Sequence, residues 1–300
     1  MRGPGADVRL AVEAPAKINL FLHVTGRRAD GYHLLESLVA FASVGDALTA
    51  APSDELVFEV DGPFAEPLLS AGGDNLVIRA ARALCAACGH ERGAWLHLVK
   101  RLPVASGIGG GSADAAAALR LLARLWEVEM PETELDRIAL TLGADVPVCL
   151  GGLPALMSGI GEEVSPVPAL GECGVVLANA GIPVPTPDVF RARTGPYSAP
   201  SSWIPPVDFE GLIEELFHRR NDLTAAAISV SPAVGTVLGA RGATAGSRLA
   251  RLSGSGGTCF ALYADRAAAA EAALSISADY PGWWVVAGSF RRTPPDISFG

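Results

Sequence analysis

The stretch Leu102-Pro-Val-Ala-Ser-Gly-Ile-Gly-Gly-Gly-Ser112, running directly into Ala113-Asp-Ala-Ala-Ala-Ala-Leu119, limits what this chain can fold into more than any other. Glycines at 107, 109, 110 and 111 free the backbone for φ > 0 and for close approach to a ligand. Ser112 is placed to cap the helix that follows. Such a helix directs unpaired N–H groups and the positive end of its dipole back at the loop. A plain strand-to-helix turn needs fewer glycines, so the stretch reads as an anion site, with phosphate the expected anion. It is neither of two familiar phosphate loops. The Walker loop requires a lysine after its last glycine, and none follows here. The dinucleotide fingerprint requires a glycine where Ser112 stands.

The remainder of the chain bounds the ligand. With 300 residues, half of them hydrophobic, it can form two domains with ordinary cores. A net charge of -9 argues against nucleic acid or an anionic membrane as partner, so a phosphate ligand must be met by local N–H groups and a few cations. No apolar stretch marks a signal peptide in Met1–Glu13, and no run is long enough to cross a bilayer. Five scattered cysteines (85, 88, 149, 173 and 259) suggest reduced thiols and a cytoplasmic protein. The pair Cys85-Ala-Ala-Cys88 lies in a helical pattern and reads as core. Arginine is the default cation, with 21 copies against two lysines, Lys17 and Lys100. A retained lysine suits a task that needs a compact point charge.

In chain order, Val8–Glu13 and Ile18–Val24 read as strands separated by Ala14-Pro15. Lys17 and Asn19, two apart, share a face. A polar loop, 25–33, ends in Tyr32-His33, which can stack on a planar ligand or serve simply as a loop pair. Leu34–Ala42 and Leu48–Val60 give more strand, Asp74-Asn75 starts a helix over 76–87, and Trp95–Val99 leads through Lys100 into the glycine loop. The helix after the loop presents Ala115, Ala118, Leu119, Leu122, Leu125 and Trp126 on one face, opposite Arg120 and Arg124. A helix over 131–142 stops at Gly143. Asp145 follows in a turn, as a turn residue or as a partly buried base. A hairpin is expected near 155–164, and the pattern changes at Pro166-Val-Pro168, giving domains 1–166 and 167–300.

In the second part, strands are expected at 175–178, 248–252, 258–263 and 283–287, and helices around Phe190, over 209–218, from Asn221-Asp-Leu223 and over 267–276. A Pro/Ser-rich loop spans 195–206. Ser253-Gly-Ser-Gly-Gly257 is either a hairpin turn or a second wall of a nucleotide site.

Three of these segments, taken in order, resemble the GHMP small-molecule kinases, the family of galacto-, homoserine, mevalonate and related kinases. They are Ala14-Pro-Ala-Lys-Ile-Asn-Leu20, the loop from Leu102 through Ala116, and Leu252-Ser-Gly-Ser-Gly-Gly257. Four more (Lys17–Asn19 running into Arg28–His33, Asp74–Ala81, Gly143–Pro147, and Pro185-Thr-Pro187 with Phe190) resemble members that act on a cytidyl-erythritol substrate. The resemblance implies an α+β fold with an S5-like N-terminal and a ferredoxin-like C-terminal domain, with ATP, Mg²⁺ and substrate in the cleft between. It puts Lys17 and Asp145 on catalytic positions, Asp145 as base and Lys17 as the orienting cation. Asn75, Lys100, Pro103, Gly107, Gly109, Gly110, Gly111 and Ser112 fall on ATP positions. Asn19, Tyr32, His33, Thr186, Pro187 and Phe190 fall on the substrate pocket, and Gly254, Ser255, Gly256 and Gly257 form the third glycine motif. Metal ligands are not assigned, and a monomer or weak homodimer is expected. Ala113 and Leu252 stand where the family often has serine and methionine. Other kinases of the family, a decarboxylase of the same fold and a non-catalytic nucleotide-binding regulator are the alternatives. The last is disfavoured by the presence of both Lys17 and Asp145.

Overall fold

The first apolar run forms one strand where two were expected. β1 (Leu10–Arg27) continues through Pro15 because the register with β2 (His33–Ala51) shifts between Pro15 and Lys17. At such a bulge the missing proline N–H is no loss to the ladder. β1 contributes to three hydrophobic clusters in turn, through Val12, Ile18 and Val24, so it is buried along most of its length. A computed structural model describes residues 9–70, 75–89 and 91–299, so Val8 and Asp74 lie outside the described residues.

The expected strand 48–60 divides at Pro52. β2 ends at Ala51 and β3 (Leu56–Asp61) follows. A short helix α1 (Glu66–Ser70), not anticipated, precedes α2 (Leu76–Cys88), whose cap is Asn75. β4 (Ala94–Val99) then enters the glycine loop and α3 (Gly110–Leu125). Next come α4 (Glu132–Leu142), α5 (Val146–Gly151), and the hairpin of β5 (Ala155–Ser158) and β6 (Glu163–Pro166). β1 to β6 build one sheet, antiparallel except where β3 runs parallel to β4.

α3 is buried on more than the one face its pattern suggested. Alanines at 115, 116, 117 and 118 let the sheet, α2, α4 and α5 approach it from several sides. Arg120 is half-buried and donates to the Pro295 carbonyl, so the charged face is itself partly covered. Cys85 and Cys88 pack against this core as free thiols.

The second layer opens with β7 (Gly174–Asn179) and α6 (Thr186–Ala192). α7 (Phe209–Phe217), α8 (Thr224–Val230) and α9 (Ala233–Gly242) follow. α9 was not anticipated, since glycines at 235, 239 and 242 disguise it as loop. Then come β8 (Leu249–Leu252), β9 (Thr258–Tyr263), α10 (Arg266–Asp279) and β10 (Trp284–Ser289). The antiparallel order β10-β7-β9-β8 is the 4-1-3-2 arrangement of a ferredoxin-like βαββαβ unit. The chain then crosses back, and β11 (Ser298–Phe299) pairs with Leu10 and Ala11 at the edge of the first sheet.

Candidate active site

The glycine loop is shaped by its neighbours on both sides. Where β4 ends, Arg101 and Leu102 donate their N–H groups to Asp46 Oδ1 at 2.6 and 2.8 Å, which turns the chain. Gly107 and Gly109 take φ of 79° and 63°, the left-handed region that favours glycine. Gly109, not Ser112, caps α3, and no side chain caps it. Because Gly109 makes the turn itself, the helix starts two residues before Ser112, and Ser112 falls in the first turn with its hydroxyl free of capping duty. The N–H groups of Gly110, Gly111 and Ser112 therefore have no intrahelical partner.

All three glycine-family segments meet at this loop. Lys17 N–H donates to Ile108 O at 2.9 Å, and Thr258 N–H to Ser106 O at 2.9 Å. Ser253 Oγ donates to Gly107 O at 3.0 Å and accepts from Asn19 N–H at 3.1 Å. A Cβ on Gly107 would sit 2.4 Å from Gly256 O and 2.5 Å from Ser253 O, so the third segment is seated directly on the loop. That segment forms the turn between β8 and β9 and also reaches a cavity, which Gly254 and Ser255 border. Gly256 and Gly257 instead pack inward, against Val184 and against Asn179 and Ser106.

The cavity holds about 920 Å³, within the range of small-molecule sites. It is bordered by every residue assigned above to catalysis, nucleotide and substrate, and by Gly254 and Ser255, but not by Gly256 and Gly257. At the glycine loop, Lys17 Nζ lies 2.8 Å from Asp145 Oδ2. Lys17 is buried, whereas the Asp145 side chain is 37% exposed. Asp145 precedes α5 without capping it, so its carboxylate is not spent on backbone N–H groups. Away from the loop, His33 stacks on Phe190 with centroids 5.0 Å apart and planes at 25°. Burial, with the nearby Arg27 and Arg193, lowers the His33 pKa, so the ring is neutral at pH 7. Tyr32 is exposed beside it, and Thr186 shares a 2.6 Å hydrogen bond with Ser255. Asn19 Nδ2 donates to Ser37 Oγ at 2.8 Å, and its buried Oδ1 has no partner.

Lys100 borders the cavity with its ammonium already engaged, buried between Asp46 and Asp114 at 2.5 and 2.6 Å. A Cβ on Gly110 would lie 3.1 Å from Lys100 Nζ, so the ammonium forms the floor of the loop. Two carboxylates share one cation here. Burial raises the Asp114 pKa to about 7 against the pull of Lys100. Asp114 was visible in the motif but nothing marked its partner, because Asp46 stands 54 residues before Lys100. Ser37 was equally unmarked, and Ser253 stood in its glycine segment with no role of its own.

Among the described residues there is no cluster of three or more His, Cys, Asp or Glu able to hold a metal unaided. Among the oxygen-bearing side chains that border the cavity, which include Asp30, Asn75, Ser106 and Asp114, the Asp145 carboxylate and the Ser112 hydroxyl make neither a cap nor a bond to backbone N–H groups. That set fits a Mg²⁺ ion that keeps phosphate and water oxygens and takes few from protein. No helix among the described residues is long and apolar enough to cross a membrane.

Comparison with known proteins places this geometry in context. The family models "GHMP kinases N terminal domain" and "GHMP kinases C terminal" match residues 75–152 and 208–282. The 4-diphosphocytidyl-2-C-methyl-D-erythritol kinase of Paramagnetospirillum magneticum is 54% identical over 276 residues, covering 92% of this chain and 96% of that protein. The protein of the same name from Rhodospirillum rubrum is 47% identical over 300 residues, covering 98% of each. A crystal structure of 4-(cytidine 5'-diphospho)-2C-methyl-D-erythritol kinase superposes with a TM-score of 0.76 at 35% identity, covering 93% of this chain and 98% of that one. A homoserine kinase from Cytophaga hutchinsonii shares the fold, with a TM-score of 0.67 at 17% identity over 99% of both chains.

Proposed function

The chain belongs to the GHMP kinase family, and from that premise we propose that it transfers the γ-phosphoryl group of ATP to the 2-hydroxyl of 4-diphosphocytidyl-2-C-methyl-D-erythritol, a step of non-mevalonate isoprenoid precursor biosynthesis. The observation that carries the reading is the Lys17–Asp145 pair at the mouth of the glycine loop. Phosphoryl transfer asks mainly for positioning and charge stabilisation. The unpaired N–H groups of Gly110, Gly111 and Ser112 supply donors for phosphate oxygens. Asp145 accepts the proton of the substrate hydroxyl as its oxygen attacks phosphorus. Lys17, 2.8 Å away, orients that hydroxyl and offsets the charge that builds in the transition state. Ser112 and Asp145 would hold a Mg²⁺ ion, whose contribution there would be to neutralise phosphate charge. Asn75, Lys100 and Pro103 complete the nucleotide side, with Lys100 acting from beneath the loop.

The stacked His33 and Phe190, with Tyr32, Asn19, Thr186 and Pro187, form the substrate side. A flat, partly apolar slot of this kind suits a cytosine. It sets the reading apart from a homoserine or mevalonate kinase, whose substrates carry no ring. The domains correspond to 1–166 and 167–300, joined by the return of β11 to the first sheet. The test is ATP turnover measured alone and with 4-diphosphocytidyl-2-C-methyl-D-erythritol, homoserine and mevalonate. Turnover with the first substrate only is expected. Equal or better turnover with either of the others would overturn the assignment.

A further inference from the structure

Two adjacent residues outside the cavity's catalytic end hold both of its halves. Asn221 and Asp222 lie between α7 and α8, and their side chains are almost completely buried. Asn221 Nδ2 donates to Leu252 O at 2.9 Å and to Gly254 O at 2.7 Å, while its Oδ1 accepts from Leu223 N–H. It therefore fixes the start of the third glycine segment. Gly254 has little freedom on its other side, since a Cβ there would lie 2.8 Å from Gly107 O.

Asp222 reaches the opposite way. Its Oδ2 accepts from Val24 N–H at 2.8 Å and from Ser198 Oγ at 2.7 Å, and its Oδ1 accepts from Arg220 Nε at 2.7 Å. Backbone bonds run alongside, from Asp222 N–H to Leu22 O, from Leu22 N–H to Arg220 O, and from Ser198 N–H to Val24 O. The outer edge of β1 at Leu22–Val24 is thus closed by the second layer of the molecule. That edge belongs to the β1–β2 hairpin, which carries Tyr32 in its turn and His33 at the start of β2. The Pro/Ser-rich loop is drawn into the same clamp, since Ser201 N–H and Oγ donate to Glu36 on β2. The three hydrogen bonds accepted by Asp222 lower its pKa against the effect of burial.

We propose that Asn221 and Asp222 are a positioning pair, in which Asn221 sets the phosphate-side glycine segment and Asp222, through Ser198, sets the hairpin that bears Tyr32 and His33. Adjacent peptide units cannot move independently, so the dipeptide keeps the two halves of the site in register. The identity of the hairpin ligand rests on the functional reading above, but the division of labour between the two residues does not. Neither residue borders the cavity, so each acts through another group.

Hydrogen exchange separates the two questions. In Asp222→Asn and in the milder Ser198→Ala, faster exchange is expected at residues 22–36, with residues 252–258 unchanged. Asn221→Ala should show the reverse. In turnover, Asp222→Asn should raise KM for the cytidyl substrate on the order of 10-fold and leave KM for ATP within about 2-fold. Asn221→Ala should raise KM for ATP. Ser198→Ala, which removes one partly buried hydroxyl, keeps the test available should the other variants fail to fold. Uniformly faster exchange in every variant, or equal shifts in both KM values, would reduce the pair to general stability and overturn the proposal. If the wild type ignores the cytidyl substrate, the functional reading fails while the exchange pattern still decides the positioning claim.

Discussion

Lys17 Nζ and Asp145 Oδ2 are 2.8 Å apart, yet the two side chains differ in surroundings, the lysine buried and the carboxylate 37% open to the cavity. Lys17 is fixed from below by its own N–H bond to Ile108 O, so the cation belongs to the frame of the phosphate loop. Asp145, in the turn before α5, is the partner that can meet a substrate hydroxyl. Asp145→Asn keeps the shape and removes the base, and should lower kcat by about 10²- to 10⁴-fold. Lys17→Ala should lower kcat more than it changes KM for ATP. The opposite pattern would make Lys17 a nucleotide ligand only. Steady-state kinetics on both variants decides this.

The Asp46–Lys100–Asp114 cluster makes a pH-dependent contribution to stability. Asp114 has a folded pKa raised to about 7 from an ordinary value of 3.8. A carboxyl with a raised folded pKa stabilises the fold below its unfolded pKa, and that contribution is lost as pH rises through about 7. Asp114→Asn leaves Lys100 paired with Asp46 alone and removes the surplus buried charge. The Tm difference, variant minus wild type, should therefore grow from pH 5 to pH 8. A difference that is constant or shrinks over that range would contradict the assignment. Calorimetry at the two pH values measures it.

Gly107 and Gly111 should respond oppositely to alanine. At Gly107 the new Cβ meets two carbonyl oxygens at 2.4 and 2.5 Å, and φ is 79°. Backbone strain of this kind costs about 1–3 kcal/mol before the clash is counted. At Gly111 the nearest atom, Leu76 Cδ1, is at 3.4 Å and the residue is helical. Gly111→Ala should hold or raise Tm by favouring helix, while placing a methyl group at the nucleotide wall and raising KM for ATP. Thermal unfolding combined with KM for ATP separates the two effects.

Phe190→Ala removes the stack on His33. Aromatic pairs contribute about 0.5–1.5 kcal/mol beyond burial, so KM for the cytidyl substrate should rise about 2- to 12-fold with KM for ATP unchanged. The lowered His33 pKa adds that wild-type substrate KM stays flat from pH 7 upward, since the ring is neutral throughout. A rise in KM over that range would contradict this.

Local signals in the chain were enough to place most elements, while Lys17, Asp145, His33 and Phe190 were assigned to a site only through the family resemblance; the four border one cavity. Local signals were weaker where tertiary partners decide. Pro15 looked like a break, but a bulge opposite β2 absorbs it. Ser112 had the chemistry of a cap, yet a left-handed Gly109 took that position. Lys100 stood out by rarity, but its carboxylate partners come from β2 and α3, and only the fold brings them together. Asn221 and Asp222 carried the signature of a helix start, while their side chains serve strands on either side of the cavity. Residues that act through long-range hydrogen bonds have no local period or spacing to reveal them.

The most direct test of the account is the product. Incubated with ATP, Mg²⁺ and 4-diphosphocytidyl-2-C-methyl-D-erythritol, the protein should yield one new phosphomonoester resonance in ³¹P NMR, coupled to the 2-hydroxyl carbon, with the cytidine diphosphate intact and ADP formed in equal amount. Release of ADP and inorganic phosphate without a new phosphomonoester, or phosphorylation at another hydroxyl, would contradict it.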